Sequence, residues 1–161
     1  MSWAVVVSTV GGVLTTLAGV AAGALLSRRA QERHWLKDAQ AQAYAGVLRA
    51  YTRVEFDLRG AHLGKHPVTQ VDWAPWGGAL AALSLVADEE VVAAAGRLGE
   101  VLNALERVVH EGEAGRPRWT RLQTELAAAQ MDFVNTARRG LDRRQPAVRT
   151  RIGGPLIEAP E

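Results

Sequence analysis

Between Ser2 and Ser27 the chain carries no Asp, Glu, Lys, Arg or His, whereas all 19 Lys and Arg and all 17 Asp and Glu lie from Arg28 onward. No single solvent suits both parts. The uncharged run Trp3–Leu26, WAVVVSTVGGVLTTLAGVAAGALL, has 24 residues and as a helix would be about 36 Å long at about 1.5 Å per residue. A hydrocarbon core is about 30 Å thick, so the segment would span it with room for tilt. In lipid, a lone segment satisfies its own backbone hydrogen bonds only as a helix. The hydroxyls of Ser8, Thr9, Thr15 and Thr16 can bond back to carbonyls one turn earlier. The sequence thus predicts a transmembrane helix over 3–26.

Two other readings compete. A cleaved signal peptide has a basic leader and an apolar stretch of about 7 to 15 residues. Here no basic side chain precedes the run and the run is longer, although Ala22-Gly23-Ala24 has the small residues of a cleavage site. A buried core helix of this length would normally turn a polar residue to solvent. Arg28, Arg29, Arg33 and Lys37 follow the segment directly, and short flanks rich in Lys and Arg stay in the cytoplasm. The expected topology is N-terminus out and C-terminal domain in, at the cell membrane. Gly11, Thr15, Gly19 and Gly23 recur at four-residue spacing, which lets membrane helices approach closely in self-association or arises by chance in a Gly- and Ala-rich sequence.

From Arg28 to Arg59 there is no Pro and Gly46 is the only Gly, so the membrane helix is expected to continue into a soluble one. Its apolar stripe is Leu36, Tyr44, Val47, Leu48, Tyr51, Val54 and Leu58, at spacings of three and four. Gly60, Gly64 and Pro67 should end it. A short helix is predicted over Trp73–Val86, capped by Asp72 with Pro75 in its first turn. Trp76, Leu80, Leu83 and its alanines make it apolar all round, which predicts burial on several sides. A third helix opens at Asp88-Glu89-Glu90, where the dipole favours negative charge, and reaches about His110 with the stripe Val91, Ala95, Leu98, Leu102, Leu105 and Val109. The fourth begins near Pro117 or Trp119, buries Trp119, Leu122, Leu126, Ala129, Phe133 and Ala137, and stops at Arg138-Arg139-Gly140-Leu141. The fold class is therefore all-α: a transmembrane helix continuing into a cytoplasmic up-and-down bundle of three to four helices over 28–144. The stretch 145–161, with three Pro and two Gly in 17 residues, reads as a disordered basic and Pro-rich tail.

The chemistry is sparse. With no Cys, disulfides, thiolate metal sites and a cysteine nucleophile are excluded. Ser84 sits within the most apolar soluble helix and reads as a buried structural hydroxyl. Gly60-Ala61-His62-Leu63-Gly64-Lys65-His66 is similar to a phosphate-binding loop, but it is one residue short between its glycines, lacks Ser or Thr after the lysine and follows a helix instead of a strand. His62 and His66 have a metal-like spacing only if they share a helix, which the neighbouring breakers oppose. Glu106 with His110 reads as a solvated pair, and Glu55 with Asp57 as surface charge. No catalytic, cofactor-binding or metal residues are assigned, and no enzyme is expected.

Arg138, Arg139, Arg143, Arg144, Arg149 and Arg151 outweigh Asp142 by five charges within 14 residues. Such a cluster reads first as a solvated tail, with attraction to anionic lipid as the other reading; without interleaved aromatics for base stacking, nucleic acid is not an expected partner. Arg28, Arg29, Arg33, Arg143 and Arg144 are the candidate membrane-surface contacts. The basic residues number 17 Arg against Lys37 and Lys65, a skew consistent with a high-GC genome. Trp35 would stand about 13 Å beyond Leu26 on a continuous helix, between the headgroups and the bundle.

Arg33-His34-Trp35-Leu36-Lys37-Asp38, followed by Ala43-Tyr44, resembles an R-x-W-x-x-D-x-R-x-x-A-Y element of uncharacterised actinobacterial single-pass proteins, in which a membrane helix precedes a helical domain. Gln40 stands where that element has its second Arg. The resemblance implies an architecture and no activity. An anchor followed by a bundle without a polar site predicts a membrane-anchored, non-enzymatic interaction or scaffold module at the cytoplasmic face, binding lipid, a protein partner or itself. The alternative is a small membrane-active, pore-forming or toxin-like protein acting through an oligomerising Gly-rich helix; expressing residues 2–33 alone separates the two.

Overall fold

The computed structural model describes residues 34–112 and 116–149, the side chain of Arg116 excepted. The expected transmembrane segment at 3–26, with Gly11, Thr15, Gly19 and Gly23, lies outside the described residues, as do Arg28, Arg29, Arg33 and residues 150–161. Among the described residues no helix is long and apolar enough to cross a membrane.

The chain divides into two units, Met1–Asp38 and Ala39–Glu161. In the first, residues 34–38 are described; they are helical and expose Trp35 and Leu36. Leu36, 42% exposed, therefore does not belong to the buried stripe predicted for it.

The second unit is all-helical among its described residues. Its helical residues run from 39 to 62 (α1), followed by a single 3-10 turn at Val68–Gln70. Then come α2, Ala74–Val86, α3, Glu89–His110, and α4, Arg116–Leu141. Successive helices run antiparallel. Gln40 on α1 meets Val86 at the end of α2, while Arg53 further along α1 meets Asp72 just before α2 begins. Trp73, at the start of α2, bonds Glu106 near the end of α3. Arg97 of α3 pairs with Asp132 of α4, and Glu111, just past α3, with Arg118 in the first turn of α4.

Periodicity places the core. Val47, Val54 and Leu58 of α1, Leu98, Leu102 and Leu105 of α3, and Leu126 and Phe133 of α4 are all fully buried. Each apolar side chain so buried contributes about 1.5–3 kcal/mol. Tyr44 packs edge-on against Phe133, ring centroids 6.4 Å apart. On α3 it is Val108 and not the predicted Val109 that is buried.

α1 outlasts the breaker at Gly60. The His66 ring lies over that glycine, so close that a Cβ there would sit 2.6 Å from Nε2. The true stop is Gly64, at φ +70°. Its amide bonds the carbonyl of Ala61 and the Lys65 amide bonds that of Gly60, both at 3.0 Å, the paired capping bonds of a left-handed helix terminus.

Past α4 the chain turns back along it. The Asn135 side chain donates to the Val148 carbonyl at 3.2 Å and accepts from the Val148 amide at 2.8 Å. Residues 145–149, the start of the stretch expected to form a tail, are held there.

Candidate functional site

The outcome for α2 departs most from expectation and defines the site. Its sequence, APWGGALAALSLV, contains no charged residue. Burial on several sides was expected, yet only Trp76 and Leu83 are buried, and Leu85 is 84% exposed. The reason is one contact between helices. The Trp76 ring lies against Gly99 of α3, where an added Cβ would come within 3.2 Å of it. This seats one narrow edge of α2 against the bundle and turns the rest outward. Ser84, expected to be buried, is exposed as well, its hydroxyl donating to the Ala81 carbonyl at 2.8 Å.

The outward part of α2 forms one wall of a groove of about 410 Å³. Ala79, Ala82 and Leu85 face Ala39, Ala43 and Gly46 of α1 across it. Gly46 lies in a helix interior with negative φ, and a Cβ there would meet nothing within 4 Å. Internal packing therefore gives no reason for a glycine, which costs about 0.5–1 kcal/mol relative to alanine in a helix. Arg49 is the one charged residue lining the groove. Such a surface buries apolar side chains and offers no nucleophile, proton donor or metal ligand set.

Polar contacts join α1 to the two ends of α2. At one end, buried Gln40 donates through Nε2 to the Val86 carbonyl at 2.8 Å. At the other, Arg53 reaches Asp72 at 3.7 Å, and Asp72 accepts from the Ala74 amide at 3.1 Å. The capping role expected of Asp72 is thus present.

A second cavity, of about 680 Å³, lies where the start of α3 meets the end of α4. Asp88, Glu89 and Glu90 share its walls with Arg139 and Arg143. Arg143 therefore faces carboxylates as well as solvent. Arg138 and Arg139 of the basic cluster have local side-chain partners. Arg138 donates to the Pro146 carbonyl at 3.4 Å and Arg139 to the Thr136 hydroxyl at 3.0 Å, while the Arg144 amide is capped by Asp142 at 2.9 Å. Behind this cavity the buried Tyr44 hydroxyl has no hydrogen-bond partner among the described residues. Burial, and then the negative charge of Asp88, raise its pKa.

The remaining polar candidates have structural roles. His62 is stacked on Trp119, centroids 3.9 Å apart and planes 5° from parallel, and among the described residues no group of three His, Cys, Asp or Glu could hold a metal ion. Glu106, read as solvated, accepts from the Trp73 indole at 2.9 Å. Glu55, read as surface charge, is buried and paired with Arg59 one turn on.

Sequence reasoning missed the groove because uniform apolarity predicts burial whichever side of a helix turns inward. Gly46, alone in an otherwise glycine-free run from Arg28 to Arg59, was the available signal. Comparison with protein-family models, curated proteins and solved structures returned no match. The geometry of this chain is therefore what its function is read from.

Proposed function

We propose that the chain is a membrane-anchored, non-catalytic interaction module. Trp3–Leu26 serves as the single-pass anchor, the second unit is held at the cytoplasmic face, and the apolar α1–α2 groove docks a protein helix. One observation carries the docking role: a charge-free helix turns Leu85 and most of its length to solvent. Contiguous apolar surface on a small domain marks an interaction site, and a groove between helices suits an amphipathic helix. The anchor is supported by the length and charge-free composition of 3–26.

A photo-crosslinking side chain at Ala82, in the full chain expressed in cells, tests the reading. The expected result is a membrane-fraction protein that forms a discrete adduct, with the adduct lost in Leu85→Glu. A detergent-free soluble monomer with Trp3–Leu26 packed inside the bundle would overturn it.

A further inference from the structure

We propose that the occupant of the α1–α2 groove is an acidic-edged amphipathic helix of a protein partner, which rests on the docking role just given to this face. The charge distribution selects that class. α2 contributes no charge at all, and on the α1 wall Arg49 has no carboxylate partner among the described residues. One turn further, the exposed Arg53 side chain meets Asp72 only at 3.7 Å. The groove thus has an apolar floor, a basic edge and no acid.

An apolar occupant laid across Arg49 would strip water from a guanidinium and give nothing back, whereas a carboxylate on the occupant's edge pairs with it. A second copy of this face brings another Arg49 and another charge-free α2, so it opposes like charges and supplies no acid. The floor sets the occupant's shape. From Ala39 to Gly46 the α1 wall spans about 10 Å at about 1.5 Å per residue, so about two turns of a docked helix fit along it. Small residues at Ala39, Ala43 and Gly46 let its backbone come close, and Leu85 stands up beside it as the side chain that fills the gap between its turns.

The probes are two synthetic amphipathic peptides of about four turns with the same leucine face, one edged with Glu and one with Lys, titrated by fluorescence anisotropy against the full detergent-solubilised chain. The expected result is that the Glu peptide binds about tenfold more tightly, that Arg49→Glu reverses the order, and that Leu85→Glu or Gly46→Leu abolishes binding of both. Arg49 and Leu85 are exposed, so far-UV circular dichroism of their variants should match the parent. Equal binding of both peptides, unchanged in Arg49→Glu but lost in Leu85→Glu, would overturn the acidic class and leave the docking face standing. Binding of neither peptide would overturn both. Two further arms overturn the proposed occupant: a disulfide between Leu85→Cys side chains of two copies, which assigns the face to a homodimer, and Arg49-dependent binding of anionic vesicles in place of the Glu peptide, which assigns it to lipid.

Discussion

The side-chain amide of Gln40 donates to the main-chain carbonyl of Val86 at 2.8 Å, joining α1 to the last residue of α2. A helix leaves its last carbonyls without an internal partner, and buried Gln40 supplies one to this carbonyl in a partly buried bond. Removing a partner from a buried carbonyl costs about 1–3 kcal/mol. Gln40→Leu is therefore expected to lower the unfolding free energy by about 1–2 kcal/mol in urea titration, and to weaken peptide binding because one wall of the groove is no longer fixed. Unchanged stability would mean that water takes over the carbonyl.

Gly46 within α1 and Gly64 just past its end should respond to alanine with opposite signs. Gly64 has φ +70°, a conformation that costs an L-residue about 1–2 kcal/mol. At Gly46 the space above is open and the backbone ordinary, so alanine should stabilise by about 0.5–1 kcal/mol through helix propensity. Thermal unfolding of the two variants checks this: the midpoint falls for Gly64→Ala and rises for Gly46→Ala. A fall in both would mean that Gly46 has a packing role inside the fold.

The helices were legible because their burial is one-sided. In α1 the Tyr44, Val47, Tyr51, Val54 and Leu58 stripe is buried as its spacing predicts, and so are Leu98, Leu102 and Leu105 of α3. α2 defeated the same method because a helix without a polar face has no periodicity to say which side turns inward. That choice is made by Trp76 meeting Gly99, a contact between residues far apart in the chain. Local charge patterns also misled at Glu55, since its place inside the fold depends on the pairing with Arg59 and on the turn of α1 that faces the core. Docking surfaces leave little trace in one sequence: apolar residues that await a partner read like those that have already found the core.

The approach of Gly140 to Tyr44 makes a test of an orphaned hydroxyl. A Cβ at position 140 would lie 3.1 Å from the Tyr44 oxygen and 3.5 Å from Val91, and that oxygen is buried without a hydrogen bond among the described residues. Gly140→Ala should destabilise by about 1 kcal/mol or more through overpacking. Tyr44→Phe should be neutral or stabilising, because it removes an unsatisfied polar group. In the double variant the cost of Gly140→Ala should shrink by at least about 0.5 kcal/mol, a coupling a double-mutant cycle resolves. Strict additivity would place the strain elsewhere.

Alkaline pH should unfold the domain through Tyr51. Its pKa is pushed up to about 12, first by burial and then by the Glu55 carboxylate, with Arg59 acting in the opposite sense. Below about pH 10 the phenol is protonated in both the folded and the unfolded chain, and its contribution to stability is complete. Between about pH 10 and 12 the unfolded chain releases the proton while the folded one holds it, so stability falls as pH rises and the contribution is gone above about 12. For a shift of this size the loss is roughly 2–3 kcal/mol, and Tyr44, also raised, adds to it in the same direction. Urea midpoints measured from pH 8 to 12 should drop more steeply for the parent than for Tyr51→Phe, the curves parting above pH 10. Parallel curves would mean that Tyr51 ionises as freely in the folded domain as in the unfolded chain.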